Sequence, residues 1–385
     1  MPELSRRLQS LPPYPQGDIP AIKRELRARG VDVIDLGAGD ADLPPPPEAV
    51  AALCGTAPDP VNSRYAFQQG IPELRDEIVG FMRRRFGVEV DPVREVALLV
   101  GSKEGIFHLP LALLDAGDIA IIPDPGYQPY LGGAVLAGGE SYLVPLRPEN
   151  GFLVPLDDIP SDVARRAKIL YLNYPNNPTA ASAPRSYLEE VVRFCREHDI
   201  VLAYDNAYSE LAFGELPPSI LEIPGAREVA IEFFSLSKTY NMTGWRVGWA
   251  AGNADLVGAL LRVKALSDTG APLFIQHAAA AALRCHDAWF PANRETFRRR
   301  RDAAVEALRG AGLPVEVPNA TMYLWVALPG GEPSMDFARR LLLEQGVAVM
   351  AGAALGAGGE GFFRIALTAS EERLREAAAR IGRAL

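Results

Sequence analysis

This chain predicts an α/β fold, a mostly parallel sheet covered by helices, joined to a smaller C-terminal α+β unit. Three observations carry that expectation. Between Val96 and Ser237 short β-rich runs alternate with helix-length segments. The runs are continuously apolar rather than alternating, as strands buried on both faces must be. Beyond about Ala280 the rhythm changes to one long arginine-rich helix and then to mixed strands and helices.

Taken in order, residues 1–44 are proline-rich and end in "VIDLGAGDADLP", too irregular for a domain, and are expected to form an arm packing on the smaller unit. Residues 45–283 hold the large domain. Its strands are "VALLV" before "GSKEGIFHLPLALL", "IAIIP" before "DPGYQPYLGGAVLAG", "KILYLNYP" before "RSYLEEVVRFCREHD", then "IVLAYD" and "VAIEFFSLS". Pro110 implies a kink in the first of the helices. In such sheets ligands sit beyond the carboxyl ends of the strands. Polar residues cluster at those ends: Ser102 and Lys103, Asp124 and Tyr127, Asn173 to Asn177, Asp205, and Ser235 to Lys238. Residues 284–385 form the small domain, with "MYLWVAL", "FARRLLLEQG", "VAVM" and "FFRIAL". "GAGGEG" (Gly356 to Gly361) matches a dinucleotide fingerprint, but it precedes a strand instead of following one and opening a helix, so it reads as a flexible loop.

Composition narrows the function. With 385 residues, 48% hydrophobic, 23% charged and a net charge of -9, the chain reads as a globular protein without the basic face that nucleic acid requires. The run "FRRRRD" (Phe297 to Asp302) reads as one solvated helix face. Cys54, Cys195 and Cys285 are too dispersed for a disulfide framework or zinc cluster, and His108, His198, His277 and His286 lack metal-ligand spacing, so no metal is expected. No apolar signal core or membrane-length run stands out, and a cytoplasmic location is expected.

The strand-end residues suggest a chemistry. Gly101, Ser102 and Lys103 follow a strand and open a helix, where free backbone N–H groups and the positive dipole end can hold a phosphate. Asp205 ends "IVLAYD", and a carboxylate there needs a cation opposite or serves as an N-cap. In "SLSKTYNMTGWRVGW" Ser235, Ser237 and Arg246 can share an anion, with Lys238 among them; a desolvated amine beside positive charge is a usable nucleophile toward a carbonyl. Of 39 basic residues only Lys23, Lys103, Lys168, Lys238 and Lys264 are lysines, and only Lys103 and Lys238 fall at strand ends. A phosphate seat, a carboxylate awaiting a cation and a reactive lysine together match the needs of pyridoxal 5'-phosphate.

The ordered motifs "GAGDADLP", "YAFQQGIPELR", "GSKEGI", "PDPGYQPY", "NYPNNPT", "YDNAYSE", "SLSKTYNMTGWRVGW" and "FFRIAL" resemble the fold-type-I pyridoxal-phosphate aminotransferases of class I/II over nearly the whole chain. "RRFGVEVDP", "GSKEGIFHLPLALL" and "IEFFSLSKTYNMTGWRVGWAAGNAD" most resemble the LL-diaminopimelate aminotransferase branch. The resemblance implies Lys238 as the Schiff-base lysine and proton carrier, Asp205 as partner of the pyridine nitrogen, and Tyr208 and Asn177 on the ring's phenolic oxygen. It implies Tyr127 stacked on the ring, Gly101, Ser102, Lys103, Ser235 and Arg246 around the phosphate, Arg364 clamping the substrate α-carboxylate, and Gly39 allowing close approach of backbone to substrate. Tyr65 resembles a tyrosine that reaches the phosphate from a neighbouring subunit, which implies a homodimer. Trp245 reads as a core aromatic. Ala180 and Ala41 depart from the family pattern at turns. "SDTGAPLFIQ" (Ser267 to Gln276) and "DPGYQPY" diverge more, where substrate side chains would be sorted. The resemblance implies transfer of an amino group from an amino acid to a 2-oxo acid such as 2-oxoglutarate. Aromatic, glutamate/aspartate or N-succinyl-diaminopimelate donors, a β-elimination lyase and a pyridoxal-phosphate-sensing binding protein are the alternatives.

Overall fold

A computed structural model describes residues 3–12, 18–67 and 70–385. Gln68 and Gln69 of "YAFQQG" lie outside that set. The strands are β1 (Ile34–Asp35), β2 (Val96–Leu99), β3 (Ile119–Asp124), β4 (Glu140–Pro145), β5 (Ala167–Leu172), β6 (Val201–Asn206), β7 (Ala230–Ser235), β8 (Gly248–Gly252), β9 (Tyr323–Ala327), β10 (Val347–Ala348), β11 (Met350–Ala351) and β12 (Phe362–Ala366).

Seven of them form one sheet in the order β2-β8-β7-β6-β5-β3-β4. All neighbours are parallel except β8, which runs antiparallel to both β2 and β7. Two strands, β4 and β8, were not resolved by the sequence pattern. The continuous apolar runs have the reason expected of them: successive residues are buried on opposite faces. Leu170, Leu172, Leu202 and Phe234 pack into one core, whereas Ile169, Tyr171, Ala203 and Phe233 pack into another on the far side. The first core includes residues of helices Pro72–Phe86, Arg185–His198 and Leu273–Arg284, and the second includes residues of Ser102–Leu113 and Ala254–Lys264.

A third core joins the antiparallel sheet β11-β12-β9 to helices Ser334–Gln345 and Glu371–Ala384 through Phe337, Leu341, Phe363 and Ile381. Strand β1 pairs with β10, and Leu26 of helix Ile19–Ala28 packs on Leu342 and Ala348. The short helix Arg6–Gln9 lies elsewhere, with Arg7 Nη1 donating to Leu136 O on helix Gln128–Ala137.

Two expectations need correction. The arginines of "FRRRRD" do not share one solvated face, because consecutive helical residues point about 100° apart. Arg298 and Arg299 are exposed, whereas Arg300 is buried and holds Asp42 in a bidentate pair at 2.8 and 2.7 Å. "GAGGEG" holds one short 3-10 turn (Ala357–Gly359), preceded by another (Ala353–Leu355), and the pair is seated on the wall that carries Tyr127, with Gly358 N–H donating to Asp124 Oδ2 at 3.1 Å and Gly126 N–H to Leu355 O at 2.9 Å. Gly356 has φ 137°, and a Cβ there would overlap the Asp124 carboxylate, so glycine serves close approach.

Candidate active site

Because β8 alone is reversed, its first residue lies at the edge where its neighbours end, with Gly248 opposite both Leu99 and Ser235. That register delivers Arg246, two residues earlier, to the turn after β2 and to the end of β7. A cavity of about 610 Å³ opens at this edge. Gly39, Ser102, Lys103, Tyr127, Asn177, Asp205, Tyr208, Ser235, Lys238, Arg246 and Arg364 all line it.

One end is built for an anion. Ser102 opens helix Ser102–Leu113 after Gly101, whose φ of 78° turns the chain at the strand end. A side chain at Gly101 would meet the Arg246 guanidinium. Arg246 donates through Nη1 to Thr243 O at 3.0 Å, and the Ser235 hydroxyl accepts from Ser237 N–H at 3.2 Å. Helix N–H groups, hydroxyls and a guanidinium converging on one spot make a phosphate seat.

The middle holds a carboxylate without a cation. Asp205 is 5% exposed; Tyr130 donates to its Oδ2 at 2.7 Å, and Oδ1 is buried with no hydrogen-bond partner. Burial pushes its carboxyl up to about 7, against a lesser opposing pull from the Tyr130 hydroxyl. Asn173 fixes this strand end by donating to Asp205 O at 2.7 Å and accepting from Asn177 N–H at 2.7 Å. A cationic N–H directed at Oδ1 would satisfy the orphaned atom and favour the ionised carboxylate.

The far end gathers residues from both sheets. Arg364 is 5% exposed and donates to Asn177 Oδ1 at 2.6 Å and Gly37 O at 2.8 Å, while its Nε has no partner. Among the described residues it has no carboxylate in ion-pair range, nor do Lys103, Lys238 or Arg246. Lys238 Nζ donates to Gly39 O. A Cβ on Gly39 would overlap the Tyr323 hydroxyl, so only glycine fits. Tyr208 and Tyr323 are hydrogen-bonded through their hydroxyls at 3.3 Å.

An orphaned carboxylate, a phosphate seat and an amine within one cavity fit pyridoxal 5'-phosphate: a ring nitrogen for Asp205, a phosphate for the helix end and a carbonyl for Lys238. Fold and site thus define a pyridoxal-phosphate-dependent transaminase. Within that class the chain belongs to the family described as aminotransferase class I and II, whose model matches residues 31–381. It is 48% identical to the LL-diaminopimelate aminotransferase of Syntrophobacter fumaroxidans, over 98% of this chain and 97% of that protein. The enzyme of the same name from Moorella thermoacetica is 47% identical over 99% of this chain and 98% of its own. Among solved structures, substrate-bound BacF from Bacillus subtilis superposes with a TM-score of 0.96 at 34% identity, covering 100% of this chain and 98% of that one. A probable N-succinyldiaminopimelate aminotransferase from Thermus thermophilus gives 0.91 at 40% identity, covering 95% and 99%.

Tyr65 stands apart from the other expected side chains. It does not line this chain's cavity and is 73% exposed, with Phe67 beside it at a ring-centroid distance of 6.2 Å. Trp245 is half-buried against the large core. Sequence reasoning passed over Tyr130 and Tyr323, which lie within a helix and a strand, where an aromatic residue reads as core. Asn173 was placed at a strand end by its position directly after β5, but was given no role.

Proposed function

We propose that this enzyme moves the α-amino group of an amino acid with a second acidic end, LL-diaminopimelate foremost, to a 2-oxo acid such as 2-oxoglutarate. The observation that carries the reading is the buried Arg364 guanidinium without a carboxylate partner, in the same cavity as Lys238. A buried cation held only by neutral groups is costly until an anion arrives, and a guanidinium fork suits a carboxylate. Lys103, a second cation lining the cavity without an acidic partner, supports an acidic distal group. The two relatives named for LL-diaminopimelate support that donor.

The cofactor, when bound, supplies the carbonyl that condenses with amines and a ring that withdraws electrons from the substrate Cα. Ser102, Ser235 and Arg246 would hold its phosphate, with Gly101 and Lys103 shaping the turn. Asp205 Oδ1 would keep the ring nitrogen protonated and so preserve the electron-withdrawing charge. Tyr208 and Asn177 would serve the ring's phenolic oxygen, and Tyr127 would pack against the ring. Arg364 orients the substrate through its α-carboxylate, so that the Lys238 amine, in reach of Gly39 O, takes the Cα proton and returns it elsewhere.

The test is a panel of amino donors with 2-oxoglutarate, scored by oxo-acid release matched to glutamate formed. LL-diaminopimelate should be among the best donors. Its failure beside active aspartate or aromatic donors removes the substrate assignment, and release of oxo acid with no matched glutamate would make the enzyme a lyase. Arg364→Lys is expected to lower kcat/KM by about 10²-fold, because an ammonium cannot form the two parallel hydrogen bonds. A loss below threefold would take the carboxylate clamp away from this residue.

We further propose a homodimer in which Tyr65 reaches the phosphate seat of the other copy. Tyr65 and Phe67, at 73% and 64% exposure, present paired aromatic rings to solvent 6.2 Å apart. Solvent-facing aromatics so grouped mark an interaction surface. A monomeric mass in sedimentation equilibrium at assay concentration would overturn this. The cores divide mostly along these lines, although Phe290 joins the large core and Tyr208 and Leu211 the small one, and so support a large domain over 45–283, a small one over 284–385 and an arm over 1–44; hydrogen exchange that shows a single opening unit would count against that division. Free amino and oxo acids as substrates support a cytoplasmic location, which cell fractionation tests. Among the described residues, no helix is long and apolar enough to cross a membrane.

A further inference from the structure

We propose that Tyr323 is a positioning residue for this reaction: its hydroxyl donates to Tyr208, which leaves the Tyr208 proton free to be given to the cofactor's phenolic oxygen. The inference rests on the transaminase reading of the site and adds a residue to it.

The register of the small sheet places Tyr323 where it can act. Arg364 on β12 lies opposite Trp325 on β9, so Tyr323, two residues along, shares the face of Arg364 as its diagonal neighbour. The guanidinium carbon stands 4.1 Å from the centroid of the Tyr323 ring. On its other side the Tyr323 hydroxyl meets Gly39, whose carbonyl takes the Lys238 amine, and the Tyr208 hydroxyl at 3.3 Å. The two phenol rings meet edge to face, 5.6 Å apart at 70°. One side chain therefore touches the carboxylate-binding arginine, the backbone that receives the lysine and the tyrosine facing the ring oxygen.

Two phenols joined by one hydrogen bond leave one proton spare, and the better acid is the donor. Burial would raise the Tyr323 hydroxyl, but Arg364 and Lys238 bring it below its ordinary value; Tyr208 is raised well above its own, by burial first and by Tyr323 second. The Arg364 guanidinium, 4.1 Å from the Tyr323 ring, favours negative charge on the Tyr323 oxygen, which makes Tyr323 the donor and Tyr208 the acceptor, with the Tyr208 hydrogen turned outward. A packing role alone would need only the ring, which phenylalanine keeps.

The experiment is Tyr323→Phe in the cofactor-loaded enzyme, followed by the pH titration of the bound cofactor's visible absorbance. The midpoint should rise by roughly 0.5 pH unit, the size of a lost neutral hydrogen bond acting at one remove. kcat should fall by about 3- to 10-fold with KM for the amino donor within about twofold, since the Arg364 stacking is retained. In a Tyr208→Phe background the same change should add no further midpoint shift, because the acceptor has gone. An unchanged midpoint, or an additive shift in the double variant, overturns the proposal while leaving the transaminase reading intact if wild type still exchanges amino groups. Should Tyr323→Phe fail to fold, ultraviolet titration of the cofactor-free chain decides: wild type should show one phenol ionising earlier than the rest, moving to higher pH in Tyr208→Phe. No such early phenol, or one indifferent to Tyr208, would reject the pairing.

Discussion

Lys238→Ala is expected to bring kcat down by about 10⁴-fold or more while the protein still folds and retains cofactor. The retention follows from where the binding groups lie. The phosphate seat draws on Ser102, Ser235 and Arg246, and the ring contact on Asp205, none of which needs the lysine. The loss of turnover follows from the two tasks proposed for the amine, nucleophile toward the cofactor carbonyl and base toward the substrate Cα, each worth orders of magnitude. Folding should suffer little: the amine's hydrogen bond to Gly39 O is the contact removed, and one such bond contributes about 1 kcal/mol. A small primary amine added to the assay should restore part of the rate, because it can carry the proton through the space the side chain vacates. The measurements are steady-state transamination with and without that amine, and cofactor content after desalting. Turnover within about tenfold of wild type would remove Lys238 from the mechanism.

Asp205→Asn should act in opposite directions on catalysis and on the stability of the cofactor-free chain. With cofactor bound, a neutral amide cannot hold the ring nitrogen's proton, and loss of a preorganised charge of this kind costs about 10²- to 10³-fold in kcat. Without cofactor the wild-type carboxyl sits at about 7 instead of 3.8 because it is buried. The folded chain then binds a proton that the unfolded chain has already released between those values. Stability is therefore fullest below about pH 4 and is lost as pH rises toward 7, with an upper bound of about 4 kcal/mol from this one group. Glu232, also held at about 7 chiefly by burial, tilts the curve the same way. The asparagine variant should thus show a shallower decline, and above neutral pH it should outlast cofactor-free wild type in denaturant. Saturating cofactor should reverse the ranking, since the ring's positive charge pairs with the carboxylate but not with the amide. Parallel pH slopes for the two cofactor-free proteins would show that Asp205 is not the buried acid described here.

Much of this was legible along the chain, and some of it was not, for reasons that differ residue by residue. Ser102, Asp205 and Lys238 could be found because each lies just at or beyond the end of an apolar run, and parallel connections return every strand to the same edge. Arg246 was found through its motif, although its delivery depends on β8 running backwards, which no local pattern discloses. The inward turn of Arg300 depends on helix phase against Asp42, 258 positions away. "GAGGEG" read as loose because glycine permits many conformations, whereas here it permits one close contact.

The amino-acid sequence alone determined five of the large sheet's seven strands and the helices between them, the burial of the sheet on both faces and the set of polar groups at its edge, because hydrophobic periodicity and strand-end chemistry are local. Tertiary structure alone decided that Asp205 keeps an orphaned oxygen beside Tyr130, that Tyr323 joins Arg364 to Tyr208, and that Gly37 O meets Arg364 across 327 positions. Those are matters of sheet register and of distances between units folded from remote parts of the chain, and the charge, burial and hydrogen-bond partners of a side chain exist only once those distances are set.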